Sequence, residues 1–385
     1  MQIPEHYKGR EQAYFKHSLL KAYLERLFMI VGQHHKTICY VDCFAGPWQE
    51  KSKDLEDTSI AISLKIIQKC RDGLNKLGKE VHFKTLFIEQ DQKAYEKLET
   101  FLERRQDDGT ETMPLHGEFI ASRQKILDWC GENSFTFFFV DPTGWKEAVE
   151  LSTLEPLLKR PNSEFLITFM YDFLVRTHTQ KSFENDIREI FGEVPVTGSM
   201  SPEKKEEHLV SRYRRNLKTI VSSGGSRPRT VSVKVLYPLK DRPIYHLVYL
   251  TRHPLGIVKF MEASEQLDLV QRKVRARSKQ ETRIEKSGQE ELFAAHEQVT
   301  EKNGHVDLSV VKEYWLSNLT KRPVTFDIKR LADMMEETGW FANDFQQAFK
   351  ELEKVNRVNN LDVKRARPVN VVNFEKGERL LRLET

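Results

Sequence analysis

The chain reads as an α/β protein: a mostly parallel sheet with helices between its strands, followed by a smaller C-terminal domain. Two observations carry this. Five short apolar runs each end in a polar or small-residue signature: Ile38-Cys39-Tyr40-Val41-Asp42, Leu86-Phe87-Ile88-Glu89, Met113-Pro114-Leu115-His116, Phe137-Phe138-Phe139-Val140-Asp141, and Phe165-Leu166-Ile167-Thr168-Phe169-Met170. Helical patterns lie between them. Strands that alternate with helices form parallel sheets with right-handed crossovers, and such sheets take ligands at the carboxyl ends of their strands.

In order, Glu11 to Val31 reads as an amphipathic helix, with Leu19, Leu20, Tyr23, Leu24, Leu27 and Phe28 on one face. Lys16 and His17 sit on its early turns, either beside the crevice or as solvated surface. The first strand follows, and Thr58-Ser59 opens a second helix. Val81 to Ile88 is a strand, Gln90 to Arg104 a charged helix, Thr112 to His116 a short strand, and Ser122 to Cys130 a helix. Phe135 to Val140 is the most apolar strand. Leu151 to Leu158 is a short helix, and a fifth strand starts at Glu164. From Phe173 the pattern loosens, with helices at Phe183 to Phe191 and Glu203 to Ile220. Thr230 to Tyr237 and Tyr245 to Thr251 then form a hairpin that puts one antiparallel strand near the edge of the sheet.

Leu255 to Leu269 is helical, and Gln271 to Lys286 is a charged boundary helix or linker. Beyond it, Val310 to Leu316, Thr325 to Thr338 and Asn343 to Val355 are helical. Val358 to Asn360, Val363-Lys364 and Val369 to Phe374 suggest a hairpin. Three helices and a hairpin are the layout of a winged helix-turn-helix. The expected domains are 1–270, a linker 271–289, and 290–385.

The 385 residues suit two domains. No apolar run reaches the roughly 20 residues of a membrane helix, and the N-terminus lacks a signal-peptide pattern. The four cysteines form no CxxC pair, which predicts a reducing, cytoplasmic setting and no metal site. Net charge is only +4, but it is uneven: from His208 to Lys240 there is no acid, while Arg212, Arg214, Arg215, Lys218, Arg227 and Arg229 all occur. With Tyr213 and Tyr237 interleaved, that stretch could hold a phosphate backbone; a solvated face is the competing reading.

A nucleotide-like cofactor needs a sharp turn near its polar groups and an acid for its ribose hydroxyls. Asp42, Phe44, Ala45 and Gly46 supply the turn, and Glu89 at the next strand tip supplies the acid. Helix capping is the alternative for Asp42 and Glu89. The G-x-G-x-x-G fingerprint is absent, which favours a cofactor without phosphates, S-adenosylmethionine. Gly117-Glu118 stands where an acid could meet an adenine amino group, or forms a surface turn. Asp141-Pro142-Thr143-Gly144-Trp145 is related to the Asp/Asn-Pro-Pro-aromatic turn of amino methyltransferases. There Asp141 and Pro142 would accept hydrogen bonds from the target amino group, and Trp145 would stack on a flipped base or pack as core. Methyl transfer needs positioning and desolvation rather than a metal.

Together, Tyr40 to Pro47, Phe87-Ile88-Glu89-Gln90-Asp91, Asp141 to Trp145 and Leu247 to Gly256 resemble the three-Cys-motif partner (TcmP) proteins. Lys16, Leu20 and Tyr23-Leu24 resemble that family's opening helix. The resemblance covers about the first two-thirds of the chain. It implies a Rossmann-like class I methyltransferase fold and a winged-helix-like C-terminal region. It also implies a bacterial, phage-associated or mobile-element setting, and a three-Cys-motif partner that looks like a radical S-adenosylmethionine enzyme. Trp48 departs from the pattern, where glycine usually follows Gly-Pro, and its bulk would narrow or line the cofactor pocket. The leading expectation is a methyltransferase acting on a nucleic-acid base; the other is a non-catalytic protein that binds nucleic acid or activates the partner.

Overall fold

The computed structural model describes residues 4, 7, 9–46, 58–105, 109–142, 144, 148–177, 180–287, 306–365 and 367–383. The chain divides into two compact units, Met1–Arg252 and His253–Thr385.

In the first unit the elements run α1 (Glu11–Val31), β1 (Thr37–Asp42), α2 (Ser59–Lys76), β2 (His82–Glu89), α3 (Gln92–Arg104), β3 (Thr110–His116), α4 (Phe119–Cys130) and β4 (Phe135–Val140). Then come α5 (Leu151–Leu158), β5 (Ser163–Phe169), α6 (Tyr171–Thr177), α7 (Glu184–Phe191), α8 (Pro202–Leu217), β6 (Arg229–Leu236) and β7 (Pro243–Thr251). The strands form one seven-stranded sheet in the order β3-β2-β1-β4-β5-β7-β6. All neighbours are parallel except at β7, which runs against both β5 and β6. The expected single antiparallel strand near the edge is therefore β7. The order reverses between β1 and β4, the switch point where open α/β sheets keep their ligand crevice.

Every residue of β4 is buried, and so are all of β1 after Thr37. Strands without a polar face must be covered by helices on both sides. Phe138 stacks on Phe165 with ring centroids 4.7 Å apart, tying β4 to β5. α1 buries Phe15, Leu19, Leu20, Tyr23, Leu24, Leu27 and Phe28. Its Tyr23 hydroxyl donates to Glu164 Oε2 on β5 at 2.7 Å and contacts the Tyr249 hydroxyl on β7. Thr251 donates to the other oxygen of Glu164 at 2.7 Å. A carboxyl buried this deeply, and pushed up by burial, is tolerable because three hydroxyls surround it.

The second unit begins with α9 (Pro254–Ser287) and continues with α10 (Leu308–Asn318), β8 (Val324–Phe326), α11 (Ile328–Thr338), α12 (Ala342–Lys354), β9 (Val358–Asn360) and β10 (Glu378–Arg382). The boundary expected at residue 270 falls inside α9, whose charged run is helical. β8, β10 and β9 form a small antiparallel sheet in that order. Trp315 is fully buried, among Phe326, Phe345 and Phe349. Two expectations change. The helix expected from Thr325 starts only at Ile328, because Asp327 caps it through the Arg330 amide at 2.9 Å and leaves Val324–Phe326 to the sheet. The strand expected at Val369 to Phe374 is irregular chain that buries Val371, Val372 and Phe374; the pairing strand is β10.

Replacing Phe138 by Ala should cost about 3–5 kcal/mol, the usual loss for a fully buried aromatic, read as a lowered urea midpoint. An unchanged midpoint would mean that the β4–β5 stack is not part of the core.

Candidate functional site

The topology brings the carboxyl ends of β3, β2, β1 and β4 side by side, and with them most of the residues singled out in the sequence. At β1 the chain leaves the sheet through Cys43, whose amide donates to Phe139 O at 2.9 Å, and Ala45, whose amide donates to Ile88 O at 2.8 Å. This stitching bends the loop across the tips of β4 and β2. Phe44 is half-buried, with its ring 5.3 Å from that of Phe119. Gly46 then passes under the Glu89 carboxylate, where an added Cβ would lie 1.9 Å from Glu89 Oε2. A side chain at Gly46 would push the Glu89 carboxylate out of this position. Glu89 Oε1 accepts from the Asp91 amide at 2.8 Å, which fixes the carboxylate. At β3 the Gly117 amide donates to Glu89 O at 3.0 Å, at a φ of +141° that favours glycine. Glu118 follows, exposed, at the start of α4 and without a side-chain cap bond.

Neither Asp42 nor Glu89 caps a helix. Thr58 caps α2 through the Ala61 amide, and Asp91 caps α3 through the Ala94 amide. Asp42 is completely buried behind the loop rather than on its surface. Its Oδ2 accepts from Ser59 Oγ at 2.7 Å and its Oδ1 from the Phe44 amide at 3.2 Å. Asp42 thus holds the loop against α2 rather than facing a ligand. Burial pushes its carboxyl up to about 7, against those two hydrogen bonds, with Asp141 adding to the rise.

At β4, Asp141 forms an ion pair with Lys16 of α1; the two side chains are only 19% and 15% exposed. Pro142 is buried. Trp145, Thr143, Pro47 and Trp48 lie outside the described residues. Next to Lys16, His17 is buried, with Nδ1 3.0 Å from the Tyr7 hydroxyl. Burial, then the Lys16 charge, lower it to about 3, so it stays neutral. The Tyr245 hydroxyl on β7 donates to Gln12 O at 2.7 Å and pins the first turn of α1 over the sheet. The solvated-surface reading of Lys16 and His17 therefore fails. Their sequence signal was a Lys-His pair beside the apolar stripe of a helix that packs on the crevice side.

The acid-free basic stretch is elsewhere. Arg229 opens β6 opposite Thr251, the last residue of β7, so it lies at the end of the sheet remote from these tips. The Ser223 amide donates to Lys159 O at 2.8 Å, just before β5 begins, which places the turn before Arg227 at that same end. Arg212 is tied to Glu193 Oε1 at 2.5 Å and Phe191 O at 3.1 Å, and Arg214 to Thr230 O at 2.5 Å. Arg215 and Arg227 are exposed; Lys218 and Arg229 are half-buried.

No protein-family model and no curated protein matched the sequence. Among solved structures, the chain is similar to a DUF519-family protein from Legionella pneumophila str. Philadelphia 1, at 10% identity over 66% of this chain and 91% of that one, TM-score 0.37. It is also similar to an O-methyltransferase from Bacillus cereus in complex with SAH, at 15% identity over 60% and 80%, TM-score 0.34. A third is M. jannaschii TYW2 in complex with AdoMet, at 9% identity over 60% and 74%, TM-score 0.28. These TM-scores are too low for the likeness to bear on ligand or activity.

Asp42 should give the fold a pH dependence. The folded carboxyl keeps its proton up to about pH 7, whereas an unfolded aspartate releases it near 3.8. The folded chain binds the extra proton between those values, so its stability falls as pH rises through that window. The loss is about 1.4 kcal/mol per pH unit, on the order of 4 kcal/mol in all. Asp42→Asn, which keeps an acceptor for Ser59, should remove the slope and be the more stable protein above about pH 7. Urea midpoints across the range check this; parallel curves for the two proteins would mean that Asp42 ionises normally.

Proposed function

We propose that the chain is an S-adenosylmethionine-dependent methyltransferase of the class I type that acts on the amino group of a nucleic-acid base. The observation that carries this is Asp141-Pro142 at the tip of β4, beside the Glu89–Gly46 crevice at the switch point of a sheet with one antiparallel strand near its edge. The residues fit the cofactor. Glu89 Oε1 is committed to the Asp91 amide, which leaves Oε2 to accept from ribose hydroxyls. Gly46 keeps the approach to that oxygen free of a side chain, and exposed Glu118 can accept from the adenine amino group. Bound there, the cofactor supplies an electrophilic methyl group.

The protein's own part is to bind, orient and exclude water. Asp141 would accept a hydrogen bond from the target amino group once Lys16 yields that place, aiming the nitrogen lone pair. The Pro142 carbonyl would take the second amino hydrogen, and Trp145 would stack on the base. We read the chain more finely as a relative of the three-Cys-motif partner proteins, working beside a radical-S-adenosylmethionine-like enzyme; the four quoted motifs support this. The helix–strand–helix–helix–strand–strand order of α10 to β10 supports a winged-helix reading of the second unit, which would dock nucleic acid or the partner.

Calorimetry with S-adenosylmethionine and S-adenosylhomocysteine should give micromolar binding, weakened by about 1–3 kcal/mol in Glu89→Ala, the cost of a lost hydrogen-bond acceptor. Labelled methyl transfer to mixed nucleic acids, with the partner present, should disappear in Asp141→Ala, which removes the acceptor, while cofactor binding remains. Binding of neither ligand, with nucleic acid still held equally by Asp141→Ala, would replace this reading with a non-catalytic binding module.

A further inference from the structure

The tip of β4 divides the carboxyl end of the sheet. β1, β2 and β3, with Gly46, Glu89 and Gly117, lie on one side of it; β5, β7 and β6 lie on the other. β5 runs parallel to β4, and β7 runs against both β5 and β6. The turn from β6 into β7 therefore shares its end of the sheet with Asp141. So does α6, which follows β5 directly. The turn and the helix meet at Asp172 of α6, whose side chain is only 9% exposed. The Tyr237 hydroxyl donates to its Oδ2 at 2.9 Å. Arg176 Nη2 lies 3.1 Å from Oδ2, and Arg242 Nη1 lies 3.3 Å from Oδ1.

The carboxylate is inside and the guanidiniums are outside: the Arg176 and Arg242 side chains are 63% and 51% exposed. Each guanidinium carries five N–H donors, more than one shared carboxylate accepts, so donors remain for an acceptor from solution. Arg176 Nε also donates to Asp172 O at 3.1 Å, which fixes the orientation of its fork. Aromatic rings carry the cations. Arg242 lies 4.9 Å and Lys240 5.7 Å from the centre of the Tyr237 ring, and Arg176 lies 5.6 Å from that of Phe173. Lys240 is exposed, as is Asp241 beside it, which offsets one charge. A solvated arginine needs no anchor. Here a buried carboxylate, costly to desolvate unless paired, holds two arginines in place from beneath. Arginines fixed beside aromatic rings, with donors to spare, suit a phosphate backbone.

We propose that Arg176, Lys240 and Arg242 receive the phosphates of a single-stranded nucleic acid, on the reading that Asp141 holds its target base. Neighbouring strands are about 4.8 Å apart, so β7 and β6, two and three places from β4, put this surface roughly 10–14 Å from Asp141 across the sheet. Single-strand-binding surfaces follow several nucleotides with basic and aromatic side chains, which spans that distance. A base meets Asp141 only once it is out of its stack, and an unpaired strand pays least for that. The two ligands are then kept apart: the cofactor on the β1–β3 side of Asp141, the strand on the β5–β6 side. Of the acid-free stretch from His208 to Lys240, Lys240 reaches this end of the sheet, while Arg229 and the turn before Arg227 lie at the other.

The test is fluorescence anisotropy of labelled oligothymidine and oligouridine, each about 20 nucleotides and so longer than a typical single-strand site. The full-length protein is titrated without cofactor at several salt concentrations between about 50 and 200 mM. Wild type should bind at least one of the two strands, and more tightly than a duplex of equal length. In the triple variant Arg176→Gln/Lys240→Gln/Arg242→Gln, the slope of log affinity against log salt should become shallower by about 2, at roughly 0.7 for each lost phosphate contact. Lys240→Gln alone, which leaves the Asp172 ion pairs in place, should shift it by about 0.7. Arg227→Gln should leave the slope as it is. An unchanged slope in both the triple variant and Lys240→Gln would overturn the proposal. So would no strand binding by wild type, preference for the duplex, or an equal loss in Arg227→Gln. Strand binding that these variants weaken, in a protein that neither binds S-adenosylmethionine nor transfers methyl groups, would keep the strand-binding surface and remove the catalytic reading. Methyl transfer that the triple variant leaves untouched would do the reverse.

Discussion

The constraint on which the first unit depends is that its two central strands have no polar face. All of β4, and β1 from Ile38 onward, are buried. Helices must therefore cover both sides of the sheet, and polar chemistry is displaced to the strand ends. At the carboxyl ends this gathers Gly46, Glu89, Gly117 and Asp141 at neighbouring strand tips. At the amino ends it leaves Ser134, whose hydroxyl accepts from Cys39 at 3.3 Å and from Arg160 at 2.8 Å. A side chain in the middle of either strand could serve neither, because any polar group there would pay for desolvation without a partner.

α1 converts that scaffold into a site. Its apolar stripe alone would let the helix slide along the sheet. Two kinds of polar anchor fix it: Tyr23 on the buried Glu164, and the Gln12 carbonyl on Tyr245. With the helix held at both places, Lys16 meets Asp141 rather than solvent. Glu164 is stable in the interior only because Tyr23, Thr251 and Tyr249 surround it, so packing of the helix and solvation of the carboxyl depend on each other.

Much of this was legible in the sequence because it rests on period and punctuation. The bounds read for α1, β4 and α5 coincide with the structure, since each has an uninterrupted apolar pattern. The strand tips were legible because apolar runs ending in Asp, Glu or Gly are uncommon by chance. The failures have physical reasons. α6 was missed because seven residues directly after a strand leave no room for a helical period. β10 was missed because it opens on Glu378, an acid that looks exposed but is buried against Arg367, Asn360 and the Asn373 amide. Val369 to Phe374 looked like a strand because three of its residues are core, and burial does not require pairing. Asp42 was read as a ligand contact because a strand-tip acid can face outward or inward, and only the position of Ser59 decides.

The basic stretch shows where sequence reasoning about charge stops. Charge density along a chain does not say which end of a sheet the charges occupy. The antiparallel turn at β7 sends β6 back in the direction of β1, and so puts Arg229 at the amino end of the sheet. Arg212 and Arg214 spend their guanidiniums on carbonyl oxygens and Glu193, where they brace α8 against its neighbours. At the strand tips, among the described residues, Lys16 brings a positive charge against Asp141 from a helix that showed no basic run. One cation held against a carboxylate in a half-buried place interacts far more strongly than several that are spread over a solvated face. The Lys16–Asp141 pair therefore depends on the docking of α1, not on the net charge of the chain.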